Sequence, residues 1–402
     1  MADNRDTPGA RPGIDSYPVE FTGTGGEYFR VWIVNVLLSV VTLGFYTPFA
    51  RRRTAQYFYG HTLVADSPLE FTAQQRKMVI GFVLLVALYA AFKLASQTGQ
   101  DTVASLMLLG GAVLAPYFWG SAMRFRFNAT RWRGVRLQFT AGWGEVYRAS
   151  WPLFLLALAW VASFLLAAAL VPADLSPAAR ASAQGPILVG TSLAALAVTV
   201  WCLMRLEYNY KSLMVLRGRI GGQPGRWKPV FGDFVRIWLA TVGVFLLTLA
   251  VVAAVIAAAL GGSFAMLPRL RGAGLLAILF VVAMVLGTML LLFLASAPAR
   301  AYREARIFQL VWNNIGASQV ARFRCTLQAR RYVGLRIRNL LLTLATLGFW
   351  RPFAVVSEYR MKTESVTLHV KGGLDQLAGQ LAREEQGLGD AIADAVGLGL
   401  VG

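Results

Sequence analysis

Eight stretches of this 402-residue chain are apolar over about the length of a membrane crossing, and few folds can accommodate that. A helix needs about 20 apolar residues to traverse ~30 Å of hydrocarbon. Six blocks are clear: Met78–Ala95, Thr102–Trp119, Pro152–Val171, Pro186–Leu206, Val235–Leu260 and Gly274–Ser296. Two shorter ones, Val31–Phe49 and Leu335–Phe353, contain Gly and Pro breaks. Helices buried in a large soluble core would each keep a polar face, and these blocks mostly lack one. Composition agrees, since only 15% of the residues are charged where a soluble chain carries about 25%. The pattern predicts an all-α polytopic membrane protein with six clear transmembrane helices plus two short re-entrant or spanning segments.

The formal charge of +19 would point to nucleic acid in a soluble protein. In a membrane protein, Lys and Arg concentrated in cytoplasmic loops account for it, and no nucleic-acid partner is expected. The hairpin tips 96–101, 172–185 and 261–273 hold three basic residues in 33 positions. The connections 51–77, 121–151, 205–236 and 298–338 hold 27 in 131, which places them in the cytoplasm. Cys202, Cys325, His61 and His369 form no metal-ligand spacing or disulfide framework. No Ser/His/Asp set, phosphate-binding Gly loop or cofactor fingerprint is present, so neither an enzyme nor a bound cofactor is expected. Residues 1–20 lack the features of a signal peptide, leaving the first apolar block as its own insertion signal.

The loops repeat. Phe21-Thr22-Gly23-Thr24-Gly25-Gly26-Glu27-Tyr28-Phe29-Arg30 matches Phe139-Thr140-Ala141-Gly142-Trp143-Gly144-Glu145-Val146-Tyr147-Arg148 at Phe, Thr, Gly, Glu and Arg. Gly232-Asp233 repeats Gly26-Glu27, and a weaker copy begins at Phe71-Thr72-Ala73. The strongest copy joins the two ends of the chain: residues 35–50 align without gaps to 339–354, with ten of sixteen positions identical. Shared are Asn35/Asn339, Thr42-Leu43-Gly44-Phe45/Thr346-Leu347-Gly348-Phe349 and Pro48-Phe49-Ala50/Pro352-Phe353-Ala354. These motifs, and their repetition, resemble the YjgN-like family of bacterial inner-membrane proteins along nearly the whole chain after residue 18. The resemblance implies the inner (cytoplasmic) membrane and a multi-pass architecture; it supplies no catalytic residues.

Five units are expected, each with a β-like segment, an entrance turn, a hydrophobic hairpin and a basic exit. Equivalent entrances should share one side, which puts the residues near 27 and 331 in the cytoplasm along with Arg51–Arg53. The end blocks then dip in and return, with both termini inside; the rival arrangement has eight spans and both termini outside. Strand-like alternation at Thr62–Val64, Leu69–Thr72, Val135–Thr140 and Val366–Val370 predicts a small cytoplasmic β-rich layer. Residues 1–18 read as a disordered segment, 19–371 as the repeat-built membrane domain, and 372–402 as a flexible tail in which Leu374, Leu377 and Leu381 share a helical face.

Candidate functional residues fall into three sets. Asn35, Thr42, Asn339 and Thr346 could line a polar cavity near the two breaks; the plainer reading is helix-to-helix hydrogen bonding. Glu27, Glu145 and Asp233 could cluster, but each sits at a helix start, where a carboxylate favours the positive dipole end. Each also precedes an Arg by three residues (Arg30, Arg148, Arg236), a spacing that permits local pairing. Arg51, Arg52, Arg53, Arg124, Arg126, Arg131 and Arg133, interleaved with Phe125, Phe127 and Trp132, suit anionic lipid head groups; ordinary topology anchoring explains the same pattern. Lys93, near a hairpin tip, is expected to snorkel to the interface. Two functions fit: a transporter or channel for a neutral or amphiphilic solute, or a membrane scaffold that binds anionic lipid or a partner.

Overall fold

The computed structural model describes residues 14–170, 177–220, 223–264, 275–317 and 321–371. Five units follow one another, each leaving a strand, running through helices and returning to a strand. The first is β1 (Ile14–Phe21), α1 (Gly25–Val41), α2 (Thr47–Gly60) and β2 (Thr62–Val64). The second is β3 (Ser67–Phe71), α3 (Gln75–Gln97), α4 (Asp101–Asn128) and β4 (Thr130–Trp132). The third adds a short helix: β5 (Val135–Phe139), α5 (Trp143–Ala149), α6 (Trp151–Ala169), α7 (Pro177–Leu216) and β6 (Gly218–Ile220). The fourth is β7 (Gln223–Trp227), α8 (Phe231–Phe264), α9 (Leu275–Asn314) and β8 (Ile315–Ala317). The fifth is β9 (Ala321–Cys325), α10 (Ala329–Ala345), α11 (Arg351–Thr363) and β10 (Val366–Lys371).

The ten strands close into one antiparallel barrel in chain order, with β1 pairing both β2 and β10. This corrects the all-α expectation with its small β layer: the class is mixed, and a complete barrel carries the helices. A closed barrel is the stable form for strands this short, because an open sheet would leave edges unpaired. β1 begins at Ile14, opposite Lys371, so residues 14–18 are strand and not part of a disordered segment. Residues 1–13 and the expected tail, 372–402, lie outside the described residues.

Antiparallel order fixes where the helices go. All five helical excursions leave and return at one rim of the barrel, while the β2–β3, β4–β5, β6–β7 and β8–β9 connections and the Ile14–Lys371 pair lie at the other. A threonine clasps four of the five excursions where they leave the rim. The backbone N–H of Thr22 donates to His61 O (3.0 Å), Thr72 to Ala129 O (2.8 Å), Thr140 to Arg217 O (2.9 Å) and Thr326 to Ser365 O (2.8 Å). In each case the hydroxyl reaches the same carbonyl at 3.2–3.4 Å. Lys228 takes this place in the fourth unit.

Side chains alternate along the strands. In β9, Ala321 and Cys325 are buried while Arg322 and Arg324 are exposed, and Phe323 packs with Trp132, Leu368 and Val370 in the barrel core. Among the described residues, six helices are long and apolar enough to cross a membrane: α3, α4, α6, α7, α8 and α9. Their apolar side chains, Leu85, Leu108, Leu165, Leu247 and Phe293 among them, are largely exposed, as a lipid-facing surface requires.

The units join in a ring through neighbouring helices. Arg124 donates to Ala141 O and Arg360 to Gly23 O, both at 2.7 Å, so the same latch links units two and three and closes unit five onto unit one. Gly25 lies so close to Phe353 that an added Cβ would meet its ring at 2.5 Å. Units four and five share an ionic network: Lys362 Nζ and Tyr332 OH donate to Glu304 at 2.7 and 3.0 Å, and Arg336 pairs with Glu358 and Glu304.

The turns between α1 and α2 and between α10 and α11 are copies. Leu43 and Leu347 take left-handed backbone (φ 49° and 52°), followed by Gly44 and Gly348 (φ 90° and 98°). Gly44 N–H donates to Ser39 O and Gly348 N–H to Thr343 O, each at 2.7 Å, closing a Schellman motif. No atom blocks a Cβ at either glycine, so the demand is conformational. Gly44→Ala combined with Gly348→Ala should cost about 1–2 kcal/mol per site, read as a lower thermal midpoint of the detergent-solubilised protein.

Candidate functional site

The three carboxylates do not cluster; each closes the first turn of its own helix. Glu27 accepts Thr24 N–H (3.1 Å) while Glu27 N–H reaches Thr24 Oγ1 (3.3 Å), a complete capping box. Glu145 accepts Gly142 N–H and Asp233 accepts Val230 N–H, both at 3.0 Å. Glu145 pairs with Arg217, at the returning end of the same unit, and not with the neighbouring Arg148. The backbone N–H of Thr24 holds the Glu27 carboxyl below the usual carboxylate range, and that of Gly142 does so for Glu145. The folded chain therefore binds fewer protons in acid than the unfolded one. Their stabilisation is complete above about pH 5 and disappears as pH falls through the lowered values.

The asparagine pair stitches the arms of the two short hairpins. Asn35 Nδ2 donates to Ala50 O (3.4 Å) and Asn339 Nδ2 to Ala354 O (3.3 Å), the same bond in both copies. Asn339 also reaches Ser357 Oγ (3.0 Å) and Glu358 Oε1 (3.1 Å), whereas Asn35 Oδ1 is buried without a partner. Thr42 and Thr346 cap the turns, their hydroxyls accepting Tyr46 N–H (3.0 Å) and Trp350 N–H (2.9 Å). Asn35 lines one groove, of about 570 Å³, and Asn339 another, of about 740 Å³; neither threonine lines either.

The larger groove lies between α10 and α11 beside Gly25 of α1, at the seam where the ring closes. Arg331, Leu335 and Arg338 line its α10 side at helical spacing, and Trp350, Phe353, Arg360 and Met361 its α11 side. Arg360 is held by Gly23 O and Glu364. Arg331 and Arg338 are exposed and, among the described residues, form no ion pair. Trp350 Nε1 is buried without a hydrogen-bond partner. Free guanidinium groups beside aromatic and aliphatic walls can hold an anionic group attached to an apolar body. The signal in the sequence was there: Arg331 and Arg338, seven apart, flank Leu335 on one helical face.

The arginines expected to suit anionic head groups are spread along the molecule. Arg51, Arg52 and Arg53 lie on α2 just past the turn, Arg53 donating to Tyr46 OH at 3.1 Å. Arg124 is committed to its latch and stacks over Trp143, 3.8 Å from the ring centroid. Arg126 is exposed in the last turn of α4. Arg131 sits in β4, opposite Glu70 and Arg136, within a belt of strand arginines that includes Arg219, Arg226, Arg322 and Arg324. Arg133 occupies the β4–β5 turn at the far rim and bonds Ser67 Oγ at 2.8 Å, a strand's height from the helices. Lys93 lies 5.9 Å from the Tyr89 ring centroid.

The family described as "bacterial protein of unknown function (DUF898)" matches residues 16–395. Inner membrane protein YjgN of Escherichia coli strain K12 is 25% identical over 164 residues, 40% of this chain and 41% of its own length. The YjgN proteins of Escherichia coli O157:H7 and Salmonella typhimurium are each 25% identical, over 134 and 141 residues. These matches cover 33% and 35% of this chain and 34% and 35% of the relatives, so the chain matches about a third to two-fifths of their length. No solved structure matches.

Glu27→Gln with Glu145→Gln should flatten the fall in thermal midpoint between roughly pH 5 and pH 3. An acid limb as steep as that of the unaltered protein would refute the capping role.

With six membrane-capable helices and inner-membrane relatives, this is a multi-pass protein of the bacterial inner membrane, and it belongs to the DUF898 family.

Proposed function

We propose that this protein binds anionic lipid at the cytoplasmic face of the membrane, with the α10–α11 groove as its principal head-group site. The observation that carries this reading is the pairing of that cationic, aromatic-walled groove with the apolar turn at its far end. Leu347 is 91% exposed and Leu43, in the matching turn, 89%. Each occupies a left-handed position where glycine would be cheaper. An exposed leucine held at conformational cost in both copies makes sense if the turns enter lipid. Phe45, Phe349, Val40 and Val41 extend the apolar surface, and Arg51–Arg53 and Arg351 lie within about two turns of it, at head-group depth.

The clasps support two re-entrant hairpins. A segment that crossed the bilayer once would part its ends by about 30 Å, whereas Thr22 and His61 are hydrogen-bonded, as are Thr326 and Ser365. The barrel then lies in the cytoplasm with its arginine belt, and the poorly charged tips of the long hairpins lie outside. The transport reading loses support, because Thr42 and Thr346 are spent on their turns and the two asparagines open into separate grooves.

Two measurements check this. Alkaline phosphatase fused after Gly402 should be inactive, and fused at Thr98, between α3 and α4, active; activity after Gly402 would exclude the re-entrant arrangement. Phosphatidylglycerol retained by the purified protein in native mass spectrometry should fall in Arg331→Gln/Arg338→Gln. At about 1 kcal/mol per basic residue, binding should weaken by roughly thirtyfold. Retention equal to that of the unaltered protein, and indifferent to salt, would refute the head-group site.

A further inference from the structure

The barrel has a lumen that the head-group reading does not use. A cavity of about 410 Å³ runs inside the strands, walled by apolar side chains such as Val64, Leu69, Leu137, Ile220, Phe323 and Leu368. Ten strands enclose more space than the eight whose interior side chains just fill. Trp132 forms part of the wall, its indole N–H turned to Val64 O at 3.0 Å, so that polar atom makes no demand on the lumen. Deeper in, Ala65, Val135 and Val370 are packed and buried, closing the far end.

The helix-side mouth differs in chemistry. Thr62, Tyr359 and Thr363 line it, together with Lys362. Thr62 Oγ1 and Tyr359 OH lie 2.9 Å apart, and Thr62 donates to Phe58 O at 2.7 Å. Lys362 is the one charged residue among those lining the cavity, and its ammonium is already matched by Glu304 at 2.7 Å. The mouth therefore offers hydroxyl groups and a neutralised ion pair. An anionic head would have to displace Glu304 or lose its water without compensation, whereas a hydroxyl could donate to Tyr359 OH, whose own proton goes to Thr62 because Thr62 donates to Phe58 O.

We propose that the barrel lumen binds a single-chain, uncharged amphiphile, its aliphatic chain in the bore and its hydroxyl head at Thr62, Tyr359 and Thr363. A volume of about 410 Å³ lies near the low end of ligand pockets, roughly 300–1,000 Å³, and suits one chain better than a two-chain phospholipid. The mouth opens on the rim from which the helices rise, so the chain enters from the membrane side.

The test is photolabelling of the full-length protein in phosphatidylcholine nanodiscs, with dodecanol bearing a diazirine near the chain end, followed by peptide mapping. Label should fall on barrel peptides containing Phe323 or Leu368. Unlabelled dodecanol should compete about tenfold better than dodecanoate. Leu69→Trp and Leu137→Trp, which fill the lumen, should lose the barrel label while keeping label on the spanning helices; Tyr359→Phe should weaken dodecanol competition several-fold. Label confined to the spanning helices, or barrel label that excess dodecanol does not displace from the unaltered protein, overturns the proposal whether or not the filled variants fold. Equal or better competition by dodecanoate overturns the uncharged head.

Discussion

Backbone hydrogen bonds between strands separated by about forty to ninety residues hold every helix of this protein in place. β1 finds β2 only after the whole of α1 and α2, and β10 closes on β1 across the length of the chain. Three-residue strands such as β2, β4 and β6 could not stand alone; closure gives each two partners. The threonine clasps bring both ends of a helical excursion to one carbonyl, and the carboxylate caps start the next helix within a few residues. From there the helices of an excursion are free to vary in length, as the 17 residues of α1 and the 40 of α9 show.

That division explains what could be read from the chain alone. The spanning helices were legible because lipid demands a long run of apolar side chains: α3, α4, α7 and α8 contain their expected blocks, and α6 and α9 overlap theirs over 152–169 and 275–296. The strands Thr62–Val64 and Val135–Phe139 showed through β-branched and alternating residues. β6 (Gly-Arg-Ile), β7 (Gln-Pro-Gly-Arg-Trp) and β8 (Ile-Gly-Ala) gave no such signal. Their pairing is carried by backbone groups, which every sequence possesses, and closure into a barrel has no side-chain signature in strands of three to eight residues.

The repeated motifs were legible as repeats before their purpose was. Thr-Leu-Gly-Phe proved to be a turn: Thr42 receives Tyr46 N–H, Leu43 goes left-handed, Gly44 follows, and Pro48 opens the next helix. Asn35 and Asn339 proved to be the cross-tie between the arms. Polar residues spaced for a cavity and polar residues spaced for a hairpin look alike in a sequence, because both must satisfy buried backbone. What separates them is the partner fifteen residues away, Ala50 or Ala354, whose carbonyl carries no mark of its own.

The two copies of the short hairpin also diverge where their surroundings do. Asn339 faces Ser357 and Glu358, and Glu358 in turn holds Arg336, which also pairs with Glu304 of α9 and so ties the fifth unit into the fourth. At the matching positions the first unit has Arg53, Thr54 and Trp32, and Asn35 keeps one oxygen unpartnered. One copy has therefore become an ionic joint between units while the other keeps its arginines, Arg51 to Arg53, for the surface. The shared turn joins the arms of both hairpins alike, and the unshared positions decide which of the two is tied to its neighbour. Function in such a ring is assigned by departures from the repeat, because whatever all units share is already committed to holding the barrel closed.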